Sequence, residues 1–406
     1  MAMRIGYFVY EFPPRMVGGL GTYAFEINKQ FIKMGHEIEV FTMNDEDKLK
    51  TYEESKGLCV HRPIACDASD ALLTFVDDEL RRWGPGMKFF SDVMTYNFLS
   101  ANKFVNEVAK KKNFDMIAAH DWLSALAGGI SRTNLNIPFV FHMHSSEAGR
   151  MGGGGSQTVK DLEYFGAHKA DRMITVSYSM REELFRLNFP HEKIRVSWNG
   201  VDEEKYCMRN FTPEELMEFK KKYGIKEDEK VIVFTGRLTW VKGIDALIRA
   251  MPMINSQVKT KLIVLGRGEM LDEMKSIAGN LGVGDRVIFV SKWVEERERI
   301  LLYAISDVVG APSRYEPQGI VPLEGMALEK PVLGGAGGIR ESVVDEKTGL
   351  HINPDSPENI AQAAIKILKD DNLAKEMGRN GRKRILEEFT WEKIARDTLK
   401  IYKEAK

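Results

Sequence analysis

The stretch RIGYFVYEFPPRMVGGLGTYAFEINKQFIKMGHEIEVFTM, residues 4–43, contains two apolar runs with a helical pattern between them. RIGYFVY (4–10) is typical of a buried strand, and EIEVFTM (37–43) of the next one. The segment between them ends at Gly35 and carries apolar side chains at helical spacing: Ala24, Ile27, Phe31 and Met34. The stretch therefore predicts one βαβ unit, and with it a parallel sheet.

The same alternation continues on both sides of a break near residue 199. Before the break, further strands are predicted at 115–121, 137–144 and 172–177. After WNGVD (198–202), where Asn-Gly marks a turn, a charge-rich helix is followed by apolar runs at 230–236, 261–266, 286–290, 307–312 and 331–335. We therefore predict an α/β fold of two Rossmann-like, doubly wound domains, 1–198 and 199–389.

The C-terminal segment 390–406 is predicted to be a helix with a partial apolar face at Ile394, Leu399, Ile401 and Tyr402. Its pattern does not decide which domain it packs on. The glycine-rich segment GRMGGGGSQ (149–157) is predicted to be a loop.

Composition narrows the class of protein. With 58 basic and 59 acidic side chains the formal net charge is -1, so charge does not indicate nucleic acid or an anionic membrane as a partner. Cys59, Cys66 and Cys207 are odd in number and lack zinc-ligand spacing, which favours reduced thiols. Neither a secretory signal nor a membrane span is predicted, and we expect a soluble cytoplasmic protein.

Open α/β sheets bind ligands beyond the carboxyl ends of their strands, so two such domains predict a ligand in the cleft between them. The first candidate loop, RMVGGLGTYAFEI (15–27), has glycines at 18, 19 and 21 before a helix N-terminus, which suits an anion. The alternative is a tight turn that requires positive φ. The spacing matches neither the dinucleotide fingerprint nor a P-loop.

The second candidate loop is FTGRLTWVKG (234–243). Arg237 and Lys242 follow the first strand of the second half, and two cations in this position suit a diphosphate. The alternative is a pair of solvated surface charges.

The third candidate is YEPQGIVPLEG (315–325), which places two acids in an apolar context. We expect Glu316 and Glu324 to converge on one ligand through its hydroxyl groups, and the N–H groups of Gly319, Ile320 and Val321 to face a phosphate. The alternative is a turn acid and a solvated helix face.

Histidines end two predicted strands of the first half, in HDW (120–122) and HMH (142–144). A structural role is the alternative to ligand contact. A metal site built from His120, Asp121, His142 and His144 is conceivable, but helical H-x-x-x-H spacing and cysteine clusters are lacking, so no metal is predicted.

Taken together, these motifs resemble the retaining nucleotide-sugar glycosyltransferases of the GT-B fold over essentially the whole chain. GGLGTY, HDW, HSSEAGR (144–150) and SRYEPQGIVPLEGMA, with its E-x7-E pair, are most similar to glycogen-synthase-like enzymes of archaea and bacteria. Gln318 departs from this pattern, because many relatives carry an aromatic residue or cysteine there. Gly325 and Met326 also depart, since alanine is frequent after the second acid.

The resemblance implies roles for individual residues. Gly18 and Gly19 would approach the donor diphosphate and sugar, and the N–H groups of residues 319–321 the diphosphate. Arg237 and Lys242 would neutralise the departing phosphate, Glu316 would hold the transferred sugar and Glu324 the ribose. His144 would contact the sugar near the reaction centre, with His120 and Asp121 as acceptor-side candidates. The resemblance also implies that the final helix returns to the first domain.

The favoured function is transfer of glucose from ADP-glucose or UDP-glucose to the non-reducing end of an α-1,4-glucan, without a metal or other cofactor. The first alternative is a hexosyltransferase that acts on a small acceptor such as a sugar, sugar phosphate or polyol. A nucleotide-sugar epimerase or hydrolase and a non-catalytic sugar-binding protein are further alternatives. An NAD-dependent dehydrogenase is disfavoured by the glycine spacing. The oligomeric state is left open, with a homo-oligomer as one option.

Overall fold

A computed structural model describes residues 2–16, 18–44 and 48–406 of the chain. The chain forms two compact units. The first consists of Met1–Trp198 and Trp391–Lys406, and the second of Asn199–Thr390.

The first unit is built on a sheet with the strand order β3-β4-β2-β1-β5-β6-β7-β8. Neighbouring strands are parallel, apart from the antiparallel pair β3–β4. The strands are β1 Arg4–Phe8, β2 Glu37–Phe41, β3 Tyr52–Ser55, β4 Leu58–His61, β5 Met116–His120, β6 Phe139–Met143, β7 Arg172–Thr175 and β8 Ile194–Val196. The central strands are buried along almost their whole length, which explains why their sequences are continuous apolar runs.

Helices cover this sheet. They are α1 Gly19–Lys33, α2 Ser69–Leu72, α3 Asp78–Arg81, α4 Gly86–Lys103, α5 Trp122–Leu135, α6 Glu147–Arg150, α7 Gln157–Lys169 and α8 Tyr178–Arg186. A π-helical turn, Phe104–Val108, continues α4, and a 3-10 turn at His191–Lys193 precedes β8. The glycine-rich segment between α6 and α7 lacks regular structure, and α7 begins where the Ser156 hydroxyl accepts a hydrogen bond from the Val159 N–H.

The second unit has a parallel sheet with the order β11-β10-β9-β12-β13-β14. Its strands are β9 Lys230–Thr235, β10 Thr260–Leu265, β11 Val287–Val290, β12 Val308–Ala311, β13 Val332–Gly334 and β14 Gly349–His351. The sheet order reverses beside β9, between β10 and β12. In a doubly wound sheet this is the point where ligands bind.

The helices of the second unit are α9 Pro213–Lys222, α10 Ile244–Asn255, α11 Leu271–Asn280, α12 Glu296–Ala304, α13 Val321–Ala327, α14 Ile339–Ser342, α15 Pro357–Leu368 and α16 Asp371–Glu388. Short 3-10 turns lie at Met208–Asn210, Trp240–Lys242 and Gly284–Arg286. One apolar core, which includes Ile232, Leu247 and Leu262, is shared by the sheet and the helices α10, α11 and α15.

The last helix, α17 Trp391–Glu404, belongs to the first unit and packs on α1. Its apolar face lies in the core of that unit, with Trp391, Ile394, Leu399 and Tyr402 all buried. The Tyr402 hydroxyl lies 2.9 Å from Nε2 of His142. Among the described residues, no helix combines the length and apolarity needed to cross a membrane.

Candidate active site

The loop after β9 approaches the loop after β12 very closely. It passes through a 3-10 turn at Trp240–Lys242 and then through Gly243, which has φ +66° and directly precedes α10. A Cβ atom added at Gly243 would lie 2.0 Å from the carbonyl oxygen of Pro312, so only glycine fits between the two loops. This approach places the neighbouring Lys242 beside the segment that follows β12.

Lys242 and Glu316, predicted from separate motifs, form an ion pair. The Lys242 ammonium contacts Oε2 of Glu316, and the two side chains are only 22% and 17% exposed. In a partly buried pair of this kind, each group offsets part of the cost of removing the other from water. They lie at the carboxyl ends of β9 and β12, where the sheet order reverses.

Arg237 does not join this pair. Its side chain is exposed, and among the described residues it has no hydrogen-bond or ion-pair partner. Two residues further on, the Thr239 hydroxyl is buried and is also without a partner in the described part of the chain. This loop therefore offers hydrogen-bonding groups that the protein itself does not use.

The buried carboxylate of Glu324 has partners that its sequence context does not indicate. Glu324 is 4% exposed. Its Oε1 accepts from the Tyr206 hydroxyl (2.6 Å) and from an Arg299 guanidinium N–H (2.5 Å), and its Oε2 accepts from the Tyr303 hydroxyl (2.8 Å). Burial, reinforced by the charge of Glu324, raises the pKa of both tyrosines well above the usual value, so both remain donors.

The two acids therefore have separate sets of partners, Lys242 for Glu316 and the Arg299 cluster for Glu324. Gly319 lies between them with φ +80°, and α13 begins after Ile320 at Val321. Gln318 is 1% exposed, and its side-chain carbonyl accepts from the Asn199 N–H at 2.5 Å. Gln318 is one of the residues at which this sequence departs from the family pattern. Its side chain thus joins the loop by a hydrogen bond to the start of the second unit.

The glycine loop of the first unit is held by an acid. The Gly18 N–H donates to Oε2 of Glu11 (3.1 Å), and α1 begins at Gly19. Gly18 has φ −160°, an extended conformation, so the alternative of a turn that requires positive φ does not apply to it. Val17 lies outside the described residues.

His120, His142 and His144 lie together at the carboxyl ends of β5 and β6. The rings of His120 and His142 are stacked, with centroids 4.2 Å apart, and Nδ1 of His120 lies 3.1 Å from Nε2 of His144. The main-chain N–H of His144 donates to Oδ1 of Asp121 (2.7 Å). His120 is fully buried, so its side chain contacts His144 rather than solvent, whereas Asp121 is 8% exposed.

The same three histidines are grouped closely enough to be considered as metal ligands. Their ring nitrogens lie within 4.8 Å of one another. Nδ1 of His120 and Nε2 of His144 lie 3.1 Å apart, and Nε2 of His142 lies 2.9 Å from the Tyr402 hydroxyl. These three ring nitrogens therefore have contacts within the protein.

A second cluster of charges lies beside Asp121. Arg150 pairs with Glu147 (3.0 Å) and Glu163 (3.4 Å), and the Glu147 N–H donates to Glu163. Glu163 is 2% exposed, and burial raises its pKa to about 8 although Arg150 acts in the opposite direction. Sequence reasoning missed this cluster, the Arg299–tyrosine cluster and Glu11, because their partners are far apart in the chain or follow no short motif.

Two family models match the chain. Glycosyltransferase Family 4 matches residues 17–205, and Glycosyl transferases group 1 matches residues 217–384. An uncharacterized glycosyltransferase of Methanocaldococcus jannaschii is 33% identical over 99% of this chain and 98% of its own length. N-acetyl-alpha-D-glucosaminyl L-malate synthase of Bacillus anthracis is 28% identical (99% and 97%), and glycogen synthase of Mycobacterium tuberculosis 27% (100% and 95%).

Solved structures share the fold at lower identity. Sucrose-phosphate synthase from Thermosynechococcus elongatus has a TM-score of 0.80 at 23% identity, covering 99% of this chain and 98% of that one. HepE from Anabaena, solved with UDP and glucose, has a TM-score of 0.75 at 18% identity, covering 99% and 100%.

Proposed function

This chain belongs to the glycosyl transferases and has the GT-B fold, and from that premise we propose that it transfers glucose from ADP-glucose or UDP-glucose to the non-reducing end of an α-1,4-glucan. Glycogen synthase among the relatives supports the glucan, and UDP and glucose in HepE support the donor class. The observation that carries the proposal is the Lys242–Glu316 ion pair, which lies where the strand order of the second sheet reverses.

In the proposed reaction the bond from the anomeric carbon to the departing phosphate breaks, and negative charge develops on the phosphate oxygens. Lys242 and Arg237 supply positive charge where that charge develops. Glu316 accepts hydrogen bonds from hydroxyl groups of the transferred sugar. Glu324 accepts from the ribose through the second lone pair of Oε2, which the Tyr303 hydroxyl does not use. The N–H groups of Gly319, Ile320 and Val321 are proposed to face the diphosphate.

The first unit is proposed to serve the sugar and the acceptor. His144, whose Nδ1 has no partner among the described residues, contacts the transferred sugar in this proposal, and Asp121 lies on the acceptor side. Gly18 and Gly19 approach the donor, which requires the Gly18 N–H to leave Glu11. The acceptor hydroxyl oxygen forms the new bond to the anomeric carbon and gives its proton to the departing phosphate. Retention of configuration follows if it attacks the face from which the phosphate departs.

The experiment is a nucleotide-release assay with ADP-glucose and UDP-glucose, in the presence and absence of maltooligosaccharides. Lys242→Ala and Glu316→Ala are expected to lower kcat by about two orders of magnitude or more while the fold persists. Lys259→Ala is the matched control, because Lys259 forms an exposed ion pair with Asp228 in the same unit. Rates like those of the wild type in either site variant would remove the assignment.

Metal removal tests the proposed charge stabilisation separately. Because Lys242 and Arg237 supply the positive charge, turnover is expected to be unchanged after exhaustive treatment with EDTA. Loss of turnover that Mg²⁺ or Mn²⁺ restores would contradict this part of the proposal.

Transfer to a small acceptor is the second candidate. It is supported by the relative whose name specifies an L-malate product, at an identity similar to that of glycogen synthase. Small sugars, sugar phosphates and polyols are therefore assayed beside the maltooligosaccharides. If only the small acceptors stimulate nucleotide release, the glucan proposal fails and the second candidate replaces it. The anomeric configuration of the product, measured by NMR, tests retention in either case.

A further inference from the structure

His144 is held from several sides. Its ring nitrogen Nε2 contacts Nδ1 of His120 at 3.1 Å, and its ring packs edge-on against Tyr23 with centroids 4.7 Å apart. Its main-chain N–H is bound to Asp121. Because Nε2 is engaged with His120, Nδ1 is the ring nitrogen that remains for a ligand.

Further contacts hold the His120 ring in place. It is the register partner of His142 across β5 and β6, and their rings are stacked. Nε2 of His142 lies 2.9 Å from the Tyr402 hydroxyl on α17. His120 also packs on the ring of Tyr7, with centroids 4.4 Å apart. The position of the His120 ring is therefore determined by β1, β6 and, through His142, the C-terminal helix.

All three imidazoles are neutral at neutral pH. Burial lowers the pKa of His120 and His142 well below the usual value, and it lowers the pKa of His144 against the opposing effect of Asp121. In a contact between two neutral imidazoles, one nitrogen donates and the other accepts. The His120–His144 contact thus exists in one of two tautomeric arrangements.

The surroundings of Nε2 of His120 indicate which of the two tautomeric arrangements is present. Nε2 of His120 is buried and has no partner among the described residues. If His144 were the donor, His120 would carry its proton on Nε2, and a buried N–H would be left unpaired. If His120 is the donor, only a lone pair is left unpaired. Unpaired buried N–H groups are the rarer and more costly case.

We propose that His120 is a positioning residue whose Nδ1–H donates to Nε2 of His144, which holds His144 as the Nδ1–H tautomer. The free N–H of His144 is then the group that meets an acceptor oxygen, such as a hydroxyl of the transferred sugar. The functional part of this inference rests on the proposed function, whereas the tautomer does not.

The first test is NMR of the full chain labelled with 15N-histidine, near neutral pH and without substrate. The expected spectrum shows His144 protonated on Nδ1 and unprotonated on Nε2, the reverse of the tautomer that prevails for free imidazole side chains in water. His144→Gln assigns the signal. A spectrum in which His144 is protonated on Nε2, or on both nitrogens, overturns the proposal whether or not the chain transfers a sugar.

Variants at position 120 give the second test. His120→Phe keeps an aromatic ring but removes the donor, so the Nδ1–H population of His144 is expected to fall, and kcat to fall about tenfold to a hundredfold with little change in donor KM. His120→Asn keeps an N–H donor and is expected to restore both. His168→Phe, at an exposed position on α7, is the control.

The two readouts separate the possible failures. If His120→Phe shifts the tautomer but no variant or wild type releases nucleotide, the proposed function fails and the positioning role stands. If His120→Phe folds, lowers kcat and leaves the tautomer of His144 unchanged, the positioning role fails.

Discussion

Glu324 shows how a carboxylate is stabilised in an apolar helix. Two tyrosine hydroxyls and one guanidinium occupy its two oxygens, so the charge is compensated before any ligand binds. The same set of partners fixes the carboxylate in one orientation. If the charge of Glu324 were removed, the mostly buried guanidinium of Arg299 would lose its main ion-pair partner. A buried charge without its partner costs more free energy than the loss of one hydrogen bond.

Glu324→Gln is accordingly expected to lower the free energy of unfolding by about 2–4 kcal/mol, less than for a fully buried pair because the Arg299 side chain is 29% exposed. Urea denaturation measures the change. Glu273→Gln, at an exposed position on α11, is the matched control and is expected to change little. A Glu324→Gln variant as stable as the control would show that the tyrosines alone hold this helix.

Gly243 has a similar role for the main chain. An alanine there would combine a left-handed conformation with a Cβ placed 2.0 Å from the Pro312 carbonyl. We expect Gly243→Ala to destabilise the protein by at least about 2 kcal/mol and to abolish sugar transfer. Gly279→Ala is the control, because the space around that helical residue is open, and it is expected to raise stability by up to about 1 kcal/mol. Melting temperature and turnover are measured for both.

Helix α7 carries a buried acid, Glu163, in the first unit. Glu163 faces Arg150 and the main chain of Glu147, and burial raises its pKa to about 8. The folded protein thus keeps a proton on Glu163 that the unfolded chain releases near the usual carboxyl value. This group consequently lowers the stability of the fold as the pH rises from about 4.5 towards 8.

Glu163→Gln is expected to remove that part of the pH dependence, since a neutral amide can still accept from the Glu147 N–H. Relative to wild type, the variant should become more stable between pH 5 and pH 8 by up to about 4 kcal/mol. Chemical denaturation at both pH values gives the difference. Parallel stability curves for variant and wild type would show that Glu163 is ionised throughout the range.

The elements differ in how well the sequence predicts them. Strands β9 and β10 are buried apolar runs, and their predicted positions agree closely with those observed. Strand β3, with the sequence YEES, is exposed at every position on the sheet edge and so has no apolar pattern to detect. The long α4 was also not predicted, although it buries Phe90, Val93 and Tyr96.

Among the candidate site residues, sequence motifs identified Lys242 and Glu316 but not the side-chain clusters found elsewhere in each unit. Lys242 and Glu316 belong to short loops next to apolar strands, so each was identifiable alone. Arg299 reaches Glu324 from another helix, and Tyr402 reaches His142 from the far end of the chain. Such contacts depend on tertiary packing, which residue spacing does not encode.

In the whole molecule, one unit is formed by a single stretch of the chain and the other by two separate stretches. The second unit is one unbroken segment with its own apolar core, whereas the first needs the C-terminal helix to complete its core. Within the second unit the Val201 N–H donates to the carbonyl oxygen of Phe389, so the first and last segments of this unit are hydrogen-bonded to each other.

Expressed alone, residues 199–390 are expected to fold cooperatively, and ADP or UDP is expected to raise their melting temperature because Arg237, Lys242 and Glu316 are all present. Residues 1–198 alone are expected to aggregate or to lack a cooperative transition. Calorimetry of both fragments measures this, with Lys242→Ala in the second fragment as the control for nucleotide binding. A cooperative transition in fragment 1–198 would show that α17 is dispensable.

The discontinuity of the first unit has a consequence during synthesis on the ribosome. At usual translation rates, roughly 10 to 40 s separate the emergence of residue 198 from that of residue 390. Throughout this interval the nascent N-terminal half lacks the helix that covers α1. The second half can therefore mature first, in reverse of the usual vectorial order, and prematurely terminated products would display the uncovered surface to chaperones and proteases.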